Sequence, residues 1–225
     1  MNLQSFYKDD SVIEIGVDEV GRGPMFGRVY TAAVILPKNN SFKHELMKDS
    51  KKFTSWNKLI TTANYIKENC IEYSISYEDE YSIDTNNILN ATYIAMHKAI
   101  KNVIKKKNDY LNDYLILVDG NNFKPVTYFD NNTETIKFID SVCIVDGDNK
   151  YTAIAAASIL AKVERDLYIK DLCETYPKLD EIYDLSNNKG YGTKRHLDGI
   201  KNNGITRWHR KSFGICKTAT IIDIS

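Results

Sequence analysis

The 225-residue chain has no excess of either charge: lysine plus arginine and aspartate plus glutamate number 30 each. Global charge therefore does not advertise a polyanionic partner, and any nucleic-acid surface must come from local clustering. Cysteine is sparse and scattered. Cys70, Cys143, Cys173 and Cys216 form no CxxC pair. That spacing argues against a zinc site or a disulfide frame and leaves reduced thiols of an intracellular protein. No apolar run approaches membrane-spanning length and no signal peptide opens the chain, so a soluble, cytoplasmic protein is expected. Repeats and low-complexity tracts are also missing, which excludes solenoids. What is present is an apolar fraction of 43%, ample for the core of one large domain.

Residues 12–17 and 29–36 read as strands joined by a glycine-rich turn, which predicts a hairpin. A helix is expected over 55–69, a strand over 71–77 and a helix over 85–107, where apolar residues recur at helical spacing. Strands are expected at 114–118 and 141–145, with loop at 125–135 between them. A long helix over 152–176 begins with the small residues 153–157 and is limited by Pro177. Early strands followed by alternating strand and helix predict an α/β fold with a mixed sheet. The expected division is a core over 1–180 and a basic helical extension over 181–225.

Three sequence-distant places put carboxylates at strand ends: Asp18 with Glu19, Asp119, and Asp148. Strand ends remote in sequence can converge in a sheet. Gathered carboxylates repel one another unless a cation sits among them. Mg²⁺ and Mn²⁺ prefer such oxygen ligands, and a pair of ions about 3.5–4 Å apart suits in-line attack on a phosphodiester. Asp119-Gly120-Asn121 and Asp146-Gly147-Asp148 also read as turns. Asp18-Glu19 is harder to treat so, because adjacent strand side chains face opposite ways and one of them would be buried without a partner.

Gly21-Arg22-Gly23 reads either as a tight turn with a solvated arginine or as a place where backbone approaches a ligand closely. Tyr191, between Gly190 and Gly192, reads either as an anchor for the tail or as a ring that stacks on a sugar or base. From Lys189 to Lys217 there are eight Lys or Arg and one acid, Asp198. Lys194 and Arg210 in this stretch, with Lys51 and Lys52 earlier, are candidate phosphate contacts. His196 and His209 lie in the same stretch, where a phosphate or packing role outranks a metal role. His44 and His97 lack metal-ligand spacing.

These motifs resemble the ribonuclease HII family, the type 2 ribonucleases H. The resemblance is carried by Gly16-Val17-Asp18-Glu19-Val20-Gly21-Arg22-Gly23-Pro24, Asp49-Ser50-Lys51-Lys52 and Asn87-Ile88-Leu89-Asn90-Ala91-Thr92. It continues through Val118-Asp119-Gly120-Asn121, Gly147-Asp148, the helix Ile154 to Asp166, Lys189-Gly190-Tyr191-Gly192-Thr193 and His209-Arg210-Lys211-Ser212-Phe213-Gly214. It implies a ribonuclease H-like five-stranded mixed sheet flanked by helices, with a helical C-terminal extension. It also implies hydrolysis of the RNA strand of RNA–DNA hybrids and incision 5′ of ribonucleotides embedded in duplex DNA, by a monomer using Mg²⁺ or Mn²⁺. Asp18, Glu19, Asp119 and Asp148 resemble the metal carboxylates. Gly21, Arg22 and Gly23 resemble the turn that senses the ribose 2′-hydroxyl, and Tyr191 the tyrosine that stacks near the RNA–DNA junction. The chain departs from the pattern at Arg28, Asp146 and Lys211, and in a longer gap between Asp119 and Asp148. A non-catalytic nucleic-acid-binding module on the same fold is the alternative reading.

Overall fold

The computed structural model describes residues 3–8, 11–107, 114–130 and 133–224. Its strands are β1 (Ile13–Val20), β2 (Val29–Ile35), β3 (Glu72–Glu78), β4 (Tyr114–Asp119), β5 (Thr127–Asp130), β6 (Thr135–Phe138) and β7 (Asp140–Ile144). Its α-helices are α1 (Trp56–Asn69), α2 (Glu80–Lys107), α3 (Thr152–Thr175), α4 (Pro177–Tyr183), α5 (Leu185–Asn188) and α6 (Lys194–Asn203). Five strands form one mixed sheet in the order β3-β2-β1-β4-β7. In it β1, β4 and β7 run parallel. β2 is buried along its whole length and β4 at all but its last residue. Such near-continuous apolar runs suit strands covered on both faces.

The chain forms two compact units. One comprises Met1–Glu19, Thr31–Ser76 and Ala95–Val163; the other comprises Val20–Tyr30, Tyr77–Ile94 and Glu164–Ser225. The expected extension over 181–225 falls in the second unit, together with residues 164–180 and the two earlier segments.

In the first unit, the start of α3 lies directly on β1. A Cβ built on Gly16 would stand 2.2 Å from the backbone carbon of Ala153, so only glycine allows this approach. The small residues opening α3, Ala153 to Ala157, are buried. Leu115, Leu117, Ile144 and Ile154 form a core cluster beside β4 and β7.

The second unit has its own core of Phe26, Ile169, Cys173, Leu179, Tyr183, Leu185, Ile200, Ile205, Cys216 and Ile224. Pro177 does more than end α3. It occupies the first turn of α4, where its missing N–H costs nothing.

Two expectations need correction. Residues 125–135 are not all loop, because β5 pairs antiparallel with β6 and aligns Phe129 with Ile136. The expected helix start at residue 85 falls inside α2, which begins at Glu80 and is interrupted at Asn87, where φ is +62°. The Asn87 side chain accepts the Asn90 amide at 3.1 Å, the bond that an N-cap makes to a new helical segment. No helix among the described residues is long and apolar enough to cross a membrane.

Candidate active site

The carboxylates belong to the first unit. Register fixes two of them. Val17 pairs with Val118 across the parallel β1–β4 ladder, so the next residues, Asp18 near the end of β1 and Asp119 at the end of β4, stand at one level on neighbouring strands. Asp18 is 5% exposed, and its carboxylate accepts the Glu19 amide at 2.7 Å. Burial pushes the Asp18 carboxyl well above its ordinary value, and the charges of Glu19 and Asp119 push it the same way; a hydrogen bond from Ser158 opposes them. Ser158 Oγ also lies 3.0 Å from Ser50 Oγ.

Asp119 accepts the amide of Gly147 at 2.7 Å. That bond ties the end of β4 to the turn carrying Asp148. Asp148 is buried, in a short 3₁₀ turn over Gly147–Asn149. Burial raises its carboxyl too, followed by the charges of Asp119 and Asp49, with Lys51 opposing. Asp146 precedes this turn in the left-handed region and is exposed. Of the two neighbouring acids, it is Asp148 that is buried.

Sequence reasoning passed over Asp49, Ser50 and Ser158 as site residues. Asp49 is buried, and its side chain accepts the Lys51 amide at 2.9 Å. That bond caps the 3₁₀ turn Ser50–Lys52. Lys51 and Lys52 are exposed on this turn, and Lys52 bonds the side chain of Asn149. The signal for Asp49 was its place directly before Ser50-Lys51-Lys52. Ser158 had no signal beyond its place in the small-residue start of α3.

The carboxylates sense one another's charge without forming a closed cage. Among the described residues no three His, Cys, Asp or Glu side chains are arranged to hold an ion by themselves. Magnesium commonly binds through one or two carboxylates while keeping waters and taking substrate phosphate oxygens. An open, all-oxygen, mutually repelling set fits that demand. The residues present therefore fit a hard divalent cation.

Gly21–Gly23, Tyr191 and Arg210 belong to the second unit. Gly21 has φ of +93°, and a Cβ there would stand 2.3 Å from Arg165 Nε, so the turn requires glycine. Arg22 is exposed. Arg210 overturns its expected role as a direct phosphate contact, because it is fully buried. Its guanidinium donates to the carbonyls of Gly21 (2.6 Å), Arg22 (3.1 Å), Pro24 (2.8 Å) and Gly27 (2.8 Å). Buried Arg165 donates to the carbonyls of Phe26 and Arg28. In a trans peptide the C=O and the next N–H point opposite ways. Drawing the Gly21 and Arg22 carbonyls toward Arg210 thus turns the amides of Arg22 and Gly23 away from it, which is how a backbone turn offers donors to a ligand. Burial lowers the Arg210 pKa to about 9, with Arg165 adding to the effect.

Tyr191 is 48% exposed. A Cβ on Gly23 would lie 3.3 Å from its ring, and Met25 donates its amide to Gly190 at 2.8 Å. The 21–28 turn and the Tyr191 turn are thus laced together. Lys194, by contrast, projects from α6 and pairs with Asp198 at 2.8 Å. His196 and His209 are buried, which leaves packing and rules out direct phosphate contact. Lys124 and Pro37 carbonyls hold His97 and His44.

The chain matches known proteins along nearly its whole length. The profile of the Ribonuclease HII family covers residues 15–216. Ribonuclease HII of Cytophaga hutchinsonii is 41% identical over 213 residues, 95% of this chain and 94% of that one. Ribonuclease HII of Phocaeicola vulgatus is 38% identical over 218 residues, 97% of each. Among solved structures, the PCNA:RNase HII complex from Archaeoglobus fulgidus matches with a TM-score of 0.64 at 22% identity, covering 90% of this chain and 96% of that one. Bst-RNase HIII in complex with Mn²⁺ matches with a TM-score of 0.61 at 15% identity, covering 85% and 70%. Those structural likenesses speak to the ribonuclease H-like fold, whereas the profile and the whole-length identities speak to descent. On that descent the chain belongs to the ribonuclease HII family of type 2 ribonucleases H, metal-dependent nucleases acting on RNA–DNA hybrids.

Proposed function

We propose that this protein cleaves the RNA strand of RNA–DNA hybrids and also incises duplex DNA on the 5′ side of single embedded ribonucleotides, leaving 5′-phosphate and 3′-hydroxyl ends. The observation that carries the chemistry is the level placement of Asp18 and Asp119 on adjacent parallel strands, with Asp148 tied in through Gly147. Asp18, Glu19, Asp119 and Asp148 would hold Mg²⁺ or Mn²⁺. A bound pair of such ions supplies activation of the attacking water and stabilisation of the leaving 3′-oxygen.

The chain's own groups do the rest. Ser158 holds Asp18 from the side of α3, and the Gly147 amide holds Asp119. Lys51 and Lys52 offer cations to substrate phosphates. The amides of Arg22 and Gly23, turned outward by Arg210, offer donors to a 2′-hydroxyl, the group that separates RNA from DNA. Tyr191 offers a half-exposed ring for stacking beside the junction. The protein works as a monomer in the cytoplasm.

The test is incision of duplex DNA bearing one ribonucleotide, beside an all-DNA duplex and a long hybrid. Cleavage in magnesium is expected of the first and third only, lost with EDTA and lost in Asp18→Asn or Asp119→Asn with the fold retained. Normal cleavage by either variant would refute the metal assignment. Cleavage of the hybrid without the lone-ribonucleotide substrate would refute the second activity. Binding without any cleavage would favour the non-catalytic module.

A further inference from the structure

We infer that His209 and His196 are positioning residues that fix the Tyr191 peptide through a one-way chain of hydrogen bonds, each imidazole held in one tautomer. This deepens the reading of Tyr191 as a stacking residue and rests on it.

The chain is determined by groups that can act in only one sense. The Thr206 backbone N–H can only donate, and it points at His209 Nδ1 from 3.0 Å. His209 Nδ1 therefore carries the lone pair and Nε2 the hydrogen. At the other end the Tyr191 carbonyl can only accept, and it lies 2.9 Å from His196 Nδ1. His196 Nδ1 therefore carries the hydrogen and Nε2 the lone pair. The two Nε2 atoms are 3.1 Å apart. A donor thus meets an acceptor, and the two end assignments agree without any further choice.

The surroundings keep both rings neutral. Both are fully buried. Tyr183 packs edge-on to each, at 5.8 Å from His196 and 4.7 Å from His209. Phe26 packs edge-on to His209 at 4.9 Å. Burial pushes both imidazoles below their ordinary value, His209 to about 3. Protonation of His196 would set two Nε2–H groups against each other, and protonation of His209 would set its Nδ1–H against the Thr206 N–H.

Tyr191 needs such an anchor. Glycines flank it, so its backbone has wide freedom. Its carbonyl accepts both His196 Nδ1 and the Thr193 amide, the latter at 2.8 Å. The ring that emerges half-exposed hangs from a peptide plane whose direction the buried pair sets.

Two substitutions split the imidazole's functions. Asparagine at 196 places its amide near the Nδ1 position and can still donate to Tyr191. Glutamine places its amide near the Nε2 position, meets His209 and abandons Tyr191. Both remove a buried bond, so all assays are run well below each variant's thermal midpoint. On duplex DNA with one ribonucleotide, His196→Gln should lose about tenfold in kcat/KM while His196→Asn stays near the parent, since small misplacements at a reacting substrate are costly. In a Tyr191→Ala background His196→Gln should add no further loss, because both changes act through one ring. Independently, the imidazole ¹⁵N–¹H spectrum of the whole protein at neutral pH should show His209 protonated at Nε2 and His196 at Nδ1. The opposite tautomers, or a charged ring, would overturn the hydrogen-bond chain. Equal losses in the two 196 variants, or a further loss on top of Tyr191→Ala, would overturn the positioning role alone. Normal incision by Tyr191→Ala itself would overturn the stacking role first and the positioning role with it, while leaving the tautomers intact.

Discussion

The Gly147 amide donates to the Asp119 carboxylate at 2.7 Å. One bond thereby joins the last residue of β4 to the turn that carries Asp148, and two acids far apart in sequence become parts of one arrangement. A side chain at 147 would disturb both partners. Its Cβ would stand 3.2 Å from Asp119 Oδ1 and 2.7 Å from Ile154 Cδ1.

Gly147→Ala is therefore expected to lower kcat on a long hybrid by about tenfold with little change in KM, because the carboxylate shifts and the binding surface does not. Overpacking against Ile154 should also cost about 1–3 kcal/mol of stability. Steady-state kinetics with a denaturant titration checks both. Unchanged kcat would mean that the Gly147 amide does not set the position of Asp119.

Arg210→Lys tests the buried guanidinium. Lysine's ammonium has three donors for four carbonyls, so at least one stays buried without a donor, at about 1–3 kcal/mol. The expected result is a clear fall in the urea midpoint together with a larger drop on the lone-ribonucleotide substrate than on the long hybrid. A variant as stable as the parent would contradict the bonding to Gly21, Arg22, Pro24 and Gly27.

Gly16→Ala should fail more severely than either. The added carbon would collide with the Ala153 backbone at 2.2 Å, and main chain yields less readily than a side-chain tip. Loss of soluble folded protein, or a thermal midpoint lowered by ten degrees or so, is expected. A midpoint within a degree or two of the parent would show that α3 can slide on β1.

Acid should destabilise the fold through the histidine pair. The unfolded chain protonates imidazole near ~6.5, whereas burial holds His196 and His209 neutral well below that. Below that pH the unfolded state binds more protons, so this stability is fully present above pH ~6.5 and is lost as pH falls toward the folded values. Asp18 and Glu80, whose carboxyls are raised mainly by burial, act with the opposite sign. They are common to parent and variant and cancel in a comparison. Thermal midpoints measured from neutral pH downward should fall less steeply for His209→Phe than for the parent; equal slopes would refute the neutral pair.

Much of the first unit was legible because its signals are local. The apolar runs of β1, β2 and β4 read as buried strands, and the acids where those runs stop lie at or near strand ends, Asp119 closing β4 and Asp18 two residues before the end of β1. The β5–β6 ribbon was not legible. Thr127, Asp130 and Thr135 look like turn residues, and the apolar positions Phe129, Ile136 and Phe138 remain largely exposed, so no burial pattern marks them. The interruption of α2 was hidden because Asn87 both breaks one helical segment and caps the next. Arg210 was misread for a different reason. An arginine in a basic stretch looks like a phosphate contact, and its true partners are carbonyls contributed by the opposite end of the sequence. His196 and His209 stood in a basic stretch where a phosphate or packing role outranked a metal role, and their coupling depends on a fold that brings Thr206 and Tyr191 to opposite sides of the pair.

The interleaving of the second unit bears on how far the chain can be shortened. A polypeptide stopped at residue 180 would keep the acids of β1, β4 and the 147–149 turn. It would strip Phe26 and Ile169 of Tyr183, Leu185, Ile200, Ile205 and Cys216, the residues that cover them. It would also remove Arg210 from the 21–27 carbonyls. Such a fragment would present raw greasy surface and a slack loop in place of a minimal nuclease, so any trimmed version must retain its tail.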